Sequence, residues 1–335
     1  MRPVNRGAPG PGGARRGPRA ADPGAEPSGR RRCLWYMAPP YDVPASFRGE
    51  LPRARWRLAD IDFGAIDRGA VAGDTLVFRI VFLASMVETA SDLYAANLVE
   101  HFATDAEMSG WLRNAWQHEE VQHGHALRAY VEHVWPGIDW AGAYDRFFAA
   151  YSRTCTVGEL EPARALELAA RCMVETGTAT LYGALRRYAP EPVLRDLAGR
   201  IYADEVRHYK YFYRHFLRYQ RDERHSRWRI GRTLLGRLVE TRTGDGYHAY
   251  RELHESARAA GAGAFEDGYR EFTRSFAAFI RAYAPGEMPI RMGLKPLRLP
   301  PRLETWLTRH GASLYYGLWA GRAAPSSGEH HAPSG

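Results

Sequence analysis

The sequence predicts an all-α protein built around a four-helix bundle, and three observations carry that reading. Beyond about residue 45, apolar residues recur at intervals of three and four, and few stretches alternate with period two. Two strings, Glu119-Glu120-Val121-Gln122-His123 and Asp204-Glu205-Val206-Arg207-His208, each place an acid before Glu-x-x-His, and no other Glu-x-x-His occurs although the chain holds 13 His. Each string follows the same tetrapeptide, Met86-Val87-Glu88-Thr89 or Met173-Val174-Glu175-Thr176, the motif Glu standing 32 and 30 positions after the lone Glu. Four carboxylates and two imidazoles at that spacing describe a two-metal site inside a four-helix bundle.

Taken in order, the chain begins with a basic segment. The formal charge of the 335-residue chain is +8, and the first 32 residues supply +6 of it through eight Arg against Asp22 and Glu26. Residues 1–30 also hold seven Gly and six Pro. Such a composition buries too little apolar surface to offset its ordering entropy, so residues 1–45 read as a disordered arm. It has no apolar core of secretory-signal type. The most apolar run, Leu76 to Val87, contains Arg79 and is too short to span a bilayer. Cys33, Cys155 and Cys172 are few and irregularly spaced, which argues against a disulfide framework and for a reducing, cytoplasmic setting.

The helical domain is expected over 46–320, with the bundle at about 73–222 and a C-terminal helical extension at about 245–320. Bundle helices are expected at 73–103, 105–133, 164–188 and 192–222. Thr104-Asp105 caps the second and Pro136-Gly137 stops it. Glu161-Pro162 opens the third, with Pro in a tolerated first-turn position, and Ala189-Pro190-Glu191-Pro192 separates it from the fourth. The crossover from Pro136 to Gly158 is long and aromatic, which predicts a short extra helix. A helix at 264–283, an extended Pro-punctuated connection from Pro285 to Pro301 and a last helix at 303–320 follow, and 321–335 reads as a disordered tail.

On a helix, residues three apart share a face, so Glu120 points with His123 and Glu205 with His208. In an antiparallel bundle Glu88 and Glu175 meet them across the core. Bridging carboxylates offset the mutual repulsion of two cations, and this donor set suits two iron ions, with manganese as the alternative. Glu119 and Asp204, each four residues before a motif His, are candidate acceptors for the other ring N–H; which acid serves which His is open, and the partner can lie on the other helix. Glu88 and Glu175 sit in apolar surroundings, where an unpaired carboxylate costs several kcal/mol. Cys172 lies one turn before Glu175 and reads as a buried bystander, and Gly177 is an unusual mid-helix residue. Tyr94, Tyr182, Tyr202 and Tyr209 are candidates for electron relay, with core packing the commoner use.

With these motifs in view, the chain resembles the ferritin-like di-iron carboxylate superfamily, and within it the soluble acyl-carrier-protein desaturases. The stretch Ala115-Trp116-Gln117-His118-Glu119-Glu120-Val121-Gln122-His123-Gly124 is similar to their first Glu-x-x-His segment, and Ala203-Asp204-Glu205-Val206-Arg207-His208 to their second. Tyr94 and Thr178 stand where that family places a tyrosine and an oxygen-activating threonine. The resemblance covers roughly 75–220, and the surroundings of Glu88 and Glu175 depart from it. It implies a ferritin-like bundle in which Glu88, Glu120, His123, Glu175, Glu205 and His208 bind iron and Thr178 is catalytic by proton delivery. It further implies a homodimer, an external electron donor such as ferredoxin and an acyl chain on acyl carrier protein, desaturated or hydroxylated.

An acidic carrier needs a basic surface. Arg207, Lys210, Arg214, Arg218 and Arg221 fall about 180° from Glu205 at about 100° per residue, forming a candidate docking stripe whose alternative is a solvated face. The competing function is a ferritin-like ferroxidase with no organic substrate. Nucleic-acid binding rests on the arginine arm alone, without a recognition motif in the folded part, and is set aside.

Overall fold

The computed structural model describes residues 55–258 and 264–311, and the described residues fall within one unit, Glu50–Gly335. The expected arm over 1–45, the tail over 321–335 and the end of the last helix beyond 311 lie outside the described residues. No strand occurs among the described residues. No helix there is long and apolar enough to cross a membrane.

After two 3-10 turns and the short α1 (Arg68–Val71), the first bundle rod is made of α2 (Thr75–Thr89) and α3 (Ser91–His101). The single helix expected over 73–103 is broken at Ala90. Side-chain hydroxyls engage the backbone on either side of it: Ser91 Oγ donates to the Glu88 carbonyl at 2.6 Å and Thr89 Oγ1 to the Ser85 carbonyl at 2.6 Å. Hydroxyls bonded to the preceding turn bend helices. The second rod comprises α4 (Ala106–Trp111), a π-helical turn (Leu112–Trp116) and α5 (Gln117–Val134). Asp105 caps α4 through the Met108 N–H, as its position suggested. The π turn widens the helix one turn before Glu119 and Glu120, a placement common next to functional sites.

The crossover carries α6 (Trp140–Tyr151), capped by Asp139 and anchored by the Trp140 indole N–H on Ser85 Oγ at 2.7 Å. Helices α7 (Arg164–Tyr188) and α8 (Pro192–Glu223) form the second hairpin and pack along each other extensively. Pro162 lies outside α7, whose N-cap is Ala163. The helix start is satisfied from elsewhere: Glu223 accepts from the Ala165 N–H at 3.1 Å. Glu191 caps α8 by accepting from the Val193 and Leu194 N–H groups, with Pro192 at the first turn.

Four further helices sheathe the bundle. They are α9 (Arg227–Thr243), α10 (Asp245–Arg258), α11 (Phe265–Tyr283) and α12 (Met288–Leu294), followed by α13 (Pro301–His310). Helices α9, α11 and α12 lie on α7, while α10 packs on α2 and α6. The connection expected to be extended from Pro285 to Pro301 therefore contains α12, because Pro289 occupies the first turn, where its missing N–H is harmless. Two short-looped hairpins, α2–α5 and α7–α8, joined by one long crossover are the ferritin-like arrangement. Trp116, Tyr182 and Phe212 are fully buried between the rods, each contributing about 1.5–3 kcal/mol by leaving water.

Candidate metal centre

Each rod delivers its acidic side chains to one level of the bundle. Glu88 comes from the last turn of α2, Glu120 and His123 from the first two turns of α5, Glu175 from the middle of α7, and Glu205 and His208 from the middle of α8. They form two overlapping groups: Glu88, Glu120, His123 and Glu205, and Glu120, Glu175, Glu205 and His208. Within each group one donor atom per residue lies within 4.8 Å of the others. Glu120 and Glu205 belong to both. All six residues are buried, none more than 6% exposed.

The imidazoles are oriented alike. His123 Nδ1 lies 3.2 Å from Glu205 Oε1 and 4.0 Å from Glu88 Oε2. His208 Nδ1 lies 2.9 Å from Glu120 Oε1 and 3.6 Å from Glu175 Oε2. Despite this proximity, both Nδ1 atoms, Glu120 Oε1, Glu175 Oε2 and Glu205 Oε1 are buried with no hydrogen bond of acceptable geometry. Unsatisfied buried polar atoms cost about 1–3 kcal/mol each. These are the inward atoms of the two groups, so the donor set fits two divalent cations, which would satisfy all of them together.

Electrostatics point the same way. Burial, then the charges of Glu120 and Glu205, push the Glu88 carboxyl well above the usual carboxylate range. Burial, Glu120 and Glu175 push Glu205 up to about 8. Burial presses His123 down, but Asp204 and Glu205 outweigh it and raise it well above the usual histidine value; His208 is raised likewise by Glu119, Glu120 and Glu175. The metal-free cluster thus holds protons where cations would otherwise balance its carboxylates.

The outer acids cross over between hairpins. His123 Nε2 donates to Asp204 Oδ2 of α8 at 3.2 Å, and His208 Nε2 to Glu119 Oε2 of α5 at 2.7 Å. Arg207 ties these acids together, with Nη2 2.7 Å from Glu119 Oε1 and Nη1 2.6 Å from Asp204 Oδ1. Trp56, outside the bundle helices, donates its indole N–H to Asp204 Oδ2 at 2.8 Å. Arg207→Met is expected to weaken metal binding about 10–100-fold, the usual effect of losing an outer support. A chelator-competition titration checks it, and unchanged affinity would contradict the supporting role.

Thr178 is half-buried, and its hydroxyl lies within hydrogen-bonding reach of Glu205 Oε2 and of the Val174 and Glu175 carbonyls. One hydroxyl proton can thus serve either the Glu205 carboxylate, as proton delivery requires, or a back-bond to the preceding helical turn. Arg207 departs from the expected stripe on α8, since its guanidinium turns inward onto Glu119 and Asp204. Arg218 pairs with Asp105 and Glu107, and Arg214 lies 3.7 Å from Glu107. Lys210 and Arg221 are exposed. Among the tyrosines, Tyr182 donates to Glu88 Oε1, while Tyr94 bonds Glu167 Oε1 at 2.9 Å and Tyr209 the Met292 carbonyl at 2.7 Å. Cys172 is buried, and burial raises its thiol well above the usual range.

Sequence reasoning missed Trp56 and Arg171. The Arg171 guanidinium donates to Glu175 Oε1 at 2.6 Å. An Arg four residues before a buried Glu on the same helix was a readable signal. Trp56 has none, being 148 residues from its partner.

No family model matches the chain, and no curated protein matches it. Among solved structures, a variant of an R2-like ligand-binding oxidase with aerobically reconstituted Mn/Fe cofactor is similar at 16% identity and TM-score 0.41, over 82% of this chain and 90% of that one. An R2-like ligand-binding oxidase with the same kind of cofactor, after a long soak, is similar at 15% identity and TM-score 0.40, over 88% of this chain and 98% of that one. Likeness at this level carries no argument about chemistry, which rests on the residues above.

Proposed function

We propose that this protein is an oxygen-dependent oxidoreductase with a two-metal centre, iron with manganese as the alternative, acting on an acyl chain. The observation that carries the reading is the pair of buried donor groups sharing Glu120 and Glu205. Carboxylate and imidazole without thiolate suit these metals. When bound, two such ions supply electrons to molecular oxygen and so generate the oxidant for hydrogen removal. The chain's own residues do the rest. His123 and His208 are held in orientation by Asp204 and Glu119. Thr178 keeps a hydroxyl proton beside Glu205 Oε2. Val174, Gly177, Thr178 and Leu181 form a half-buried strip of α7 at helical spacing, the face along which an apolar chain would approach. Lys210 and Arg221 on the outer face of α8 favour an acidic carrier, and an external reductant closes the electron balance.

Protein loaded anaerobically with ferrous iron is followed for oxygen consumption, with and without long-chain acyl carrier protein. Two irons per chain and acyl-stimulated uptake are expected. Iron oxidation with no acyl response would favour the ferroxidase, and absence of stoichiometric iron would remove the metal centre.

Loading also has a pH signature. Because His123, His208 and Glu205 carry raised values, ion binding expels protons, and affinity is expected to strengthen as pH rises toward about 8. Groups whose folded values are raised stabilise the metal-free fold at low pH and cease to do so as pH rises through those values. The metal-free protein therefore loses stability as pH rises, through Glu205 from about 4.5 to about 8 and through His123 and His208 from about 6.5 upward, while the loaded protein does not. Calorimetry in two buffers of different ionisation enthalpy reads the proton release; zero release at neutral pH would contradict the assignment.

A further inference from the structure

The two donor groups are matched in composition, each with three carboxylates and one imidazole, two carboxylates being common to both. Arg207 faces the outer acids of both groups, Glu119 and Asp204, and Asp204 also accepts from the neutral Trp56 indole. The difference in fixed charge lies in the carboxylate that each group does not share. Glu88 accepts a hydrogen bond from the neutral Tyr182 hydroxyl. Glu175 accepts one from the Arg171 guanidinium at 2.6 Å.

Arg171 is only 6% exposed. Its guanidinium carbon lies 4.8 Å from the Tyr94 ring centre, 4.9 Å from that of Trp116 and 5.4 Å from that of Phe212. A guanidinium does not lose its proton in a protein, and aromatic faces hold it in place. Its bond to Glu175 engages Oε1 and leaves Oε2 as the atom facing the cluster. A fixed positive charge thus stands one carboxylate away from one ion position, with no counterpart at the Glu88 carboxylate.

We propose that Arg171 makes the two ion positions unequal. The position built from Glu88, Glu120, His123 and Glu205 fills first. The position built from Glu120, Glu175, Glu205 and His208 fills second and more weakly, because Arg171 draws on the charge of Glu175 and repels the incoming cation. The inference rests on the two-metal reading and adds to it an order of filling with a named cause. Arg171 is a positioning residue, acting through Glu175.

Mn2+ binding tests it, read by calorimetry and by the electron paramagnetic resonance signal of free Mn2+. The native protein is expected to show two classes of site at least about tenfold apart, a modest separation for a unit charge at this range. Glu88→Gln should remove the tight class, and Glu175→Gln the weak one. Arg171→Met, which keeps the apolar packing and removes the charge, should bring the two classes to within about threefold of each other. Arg171→Lys, which keeps the charge, should preserve the separation. Two equivalent sites in the native protein, loss of the tight class in Glu175→Gln, or an unchanged separation in Arg171→Met would each overturn the inference while leaving the metal centre standing. No stoichiometric Mn2+ in the native protein would overturn the two-metal reading and this inference with it. The Glu88 and Glu175 variants decide the order of filling even if Arg171→Met fails to fold.

Discussion

Replacing Glu120 and Glu205 together by alanine is expected to take bound metal from two ions per chain to none. Both residues belong to both donor groups, so their loss leaves each ion position with one carboxylate and one imidazole. Glu88→Ala and Glu175→Ala each remove a donor from one group alone and are expected to leave one ion. The distinction separates a shared centre from two independent sites. It does not depend on a damaged fold. Burial and neighbouring carboxylates already push Glu205 up to about 8, so its anion is unfavourable in the metal-free cluster and its removal relieves repulsion. The double variant should therefore fold, and its melting temperature should ignore added Mn2+. The native protein gains about 2.7 kcal/mol when free metal reaches a hundred times its dissociation constant. Metal analysis after desalting, paired with thermal melts, reads both effects; a double variant that still binds two ions would remove Glu120 and Glu205 from the centre.

Gly124→Ala carries the second large effect. Gly124 follows His123 on α5, and a Cβ there would stand 2.5 Å from Thr89 Oγ1 and 2.7 Å from Thr89 Cα, besides meeting the Thr89 backbone nitrogen. The obstacle is mainly backbone, which cannot rotate aside. The two helices would have to separate where α2 ends, beside Glu88 and His123. Overpacking typically costs about 1–3 kcal/mol, and a backbone obstacle places this substitution at the upper end. Loss of one or both ions is expected with it, because Glu88 and His123 sit on the displaced helices. Gly110→Ala in α4 is the control, since its Cβ would meet nothing within 4 Å. Helix propensity alone makes that change stabilising, by up to about 1 kcal/mol. Equal melting temperatures for the two variants would show that the α2–α5 contact is not tight in solution.

Much of the bundle was legible because its signals are local. The start of α8 follows from its Glu191 cap and Pro192, the run of both α7 and α8 from a continuous apolar period, and the repeated Met-Val-Glu-Thr and Glu-x-x-His strings name the six residues that the structure gathers. What escaped depends on tertiary contact. The break at Ala90 falls where Gly124 of α5 comes close to Thr89, a tertiary approach that helical periodicity does not register. The π turn at Leu112–Trp116 leaves apolar spacing nearly unchanged. Helix α9 carries exposed Trp228, Leu235 and Val239 opposite its buried Ile230, Leu234 and Leu238, so its one-sided pattern is blurred. The outer face of α8 showed five basic residues in a row on a wheel, and only side-chain reach revealed that Arg207 turns inward.

The crossing of the outer acids bears on how the protein is assembled. The imidazole of each hairpin is oriented by a carboxylate of the other: Asp204 holds His123, and Glu119 holds His208. Neither half of the internal repeat can complete an ion position by itself, so the centre works as a clasp that closes only when the hairpins dock. Metal uptake then reports docking rather than the formation of any one helix. A chain cut within the crossover should keep its centre for as long as the two pieces stay together, and two molecules exchanging hairpins would still build two complete centres.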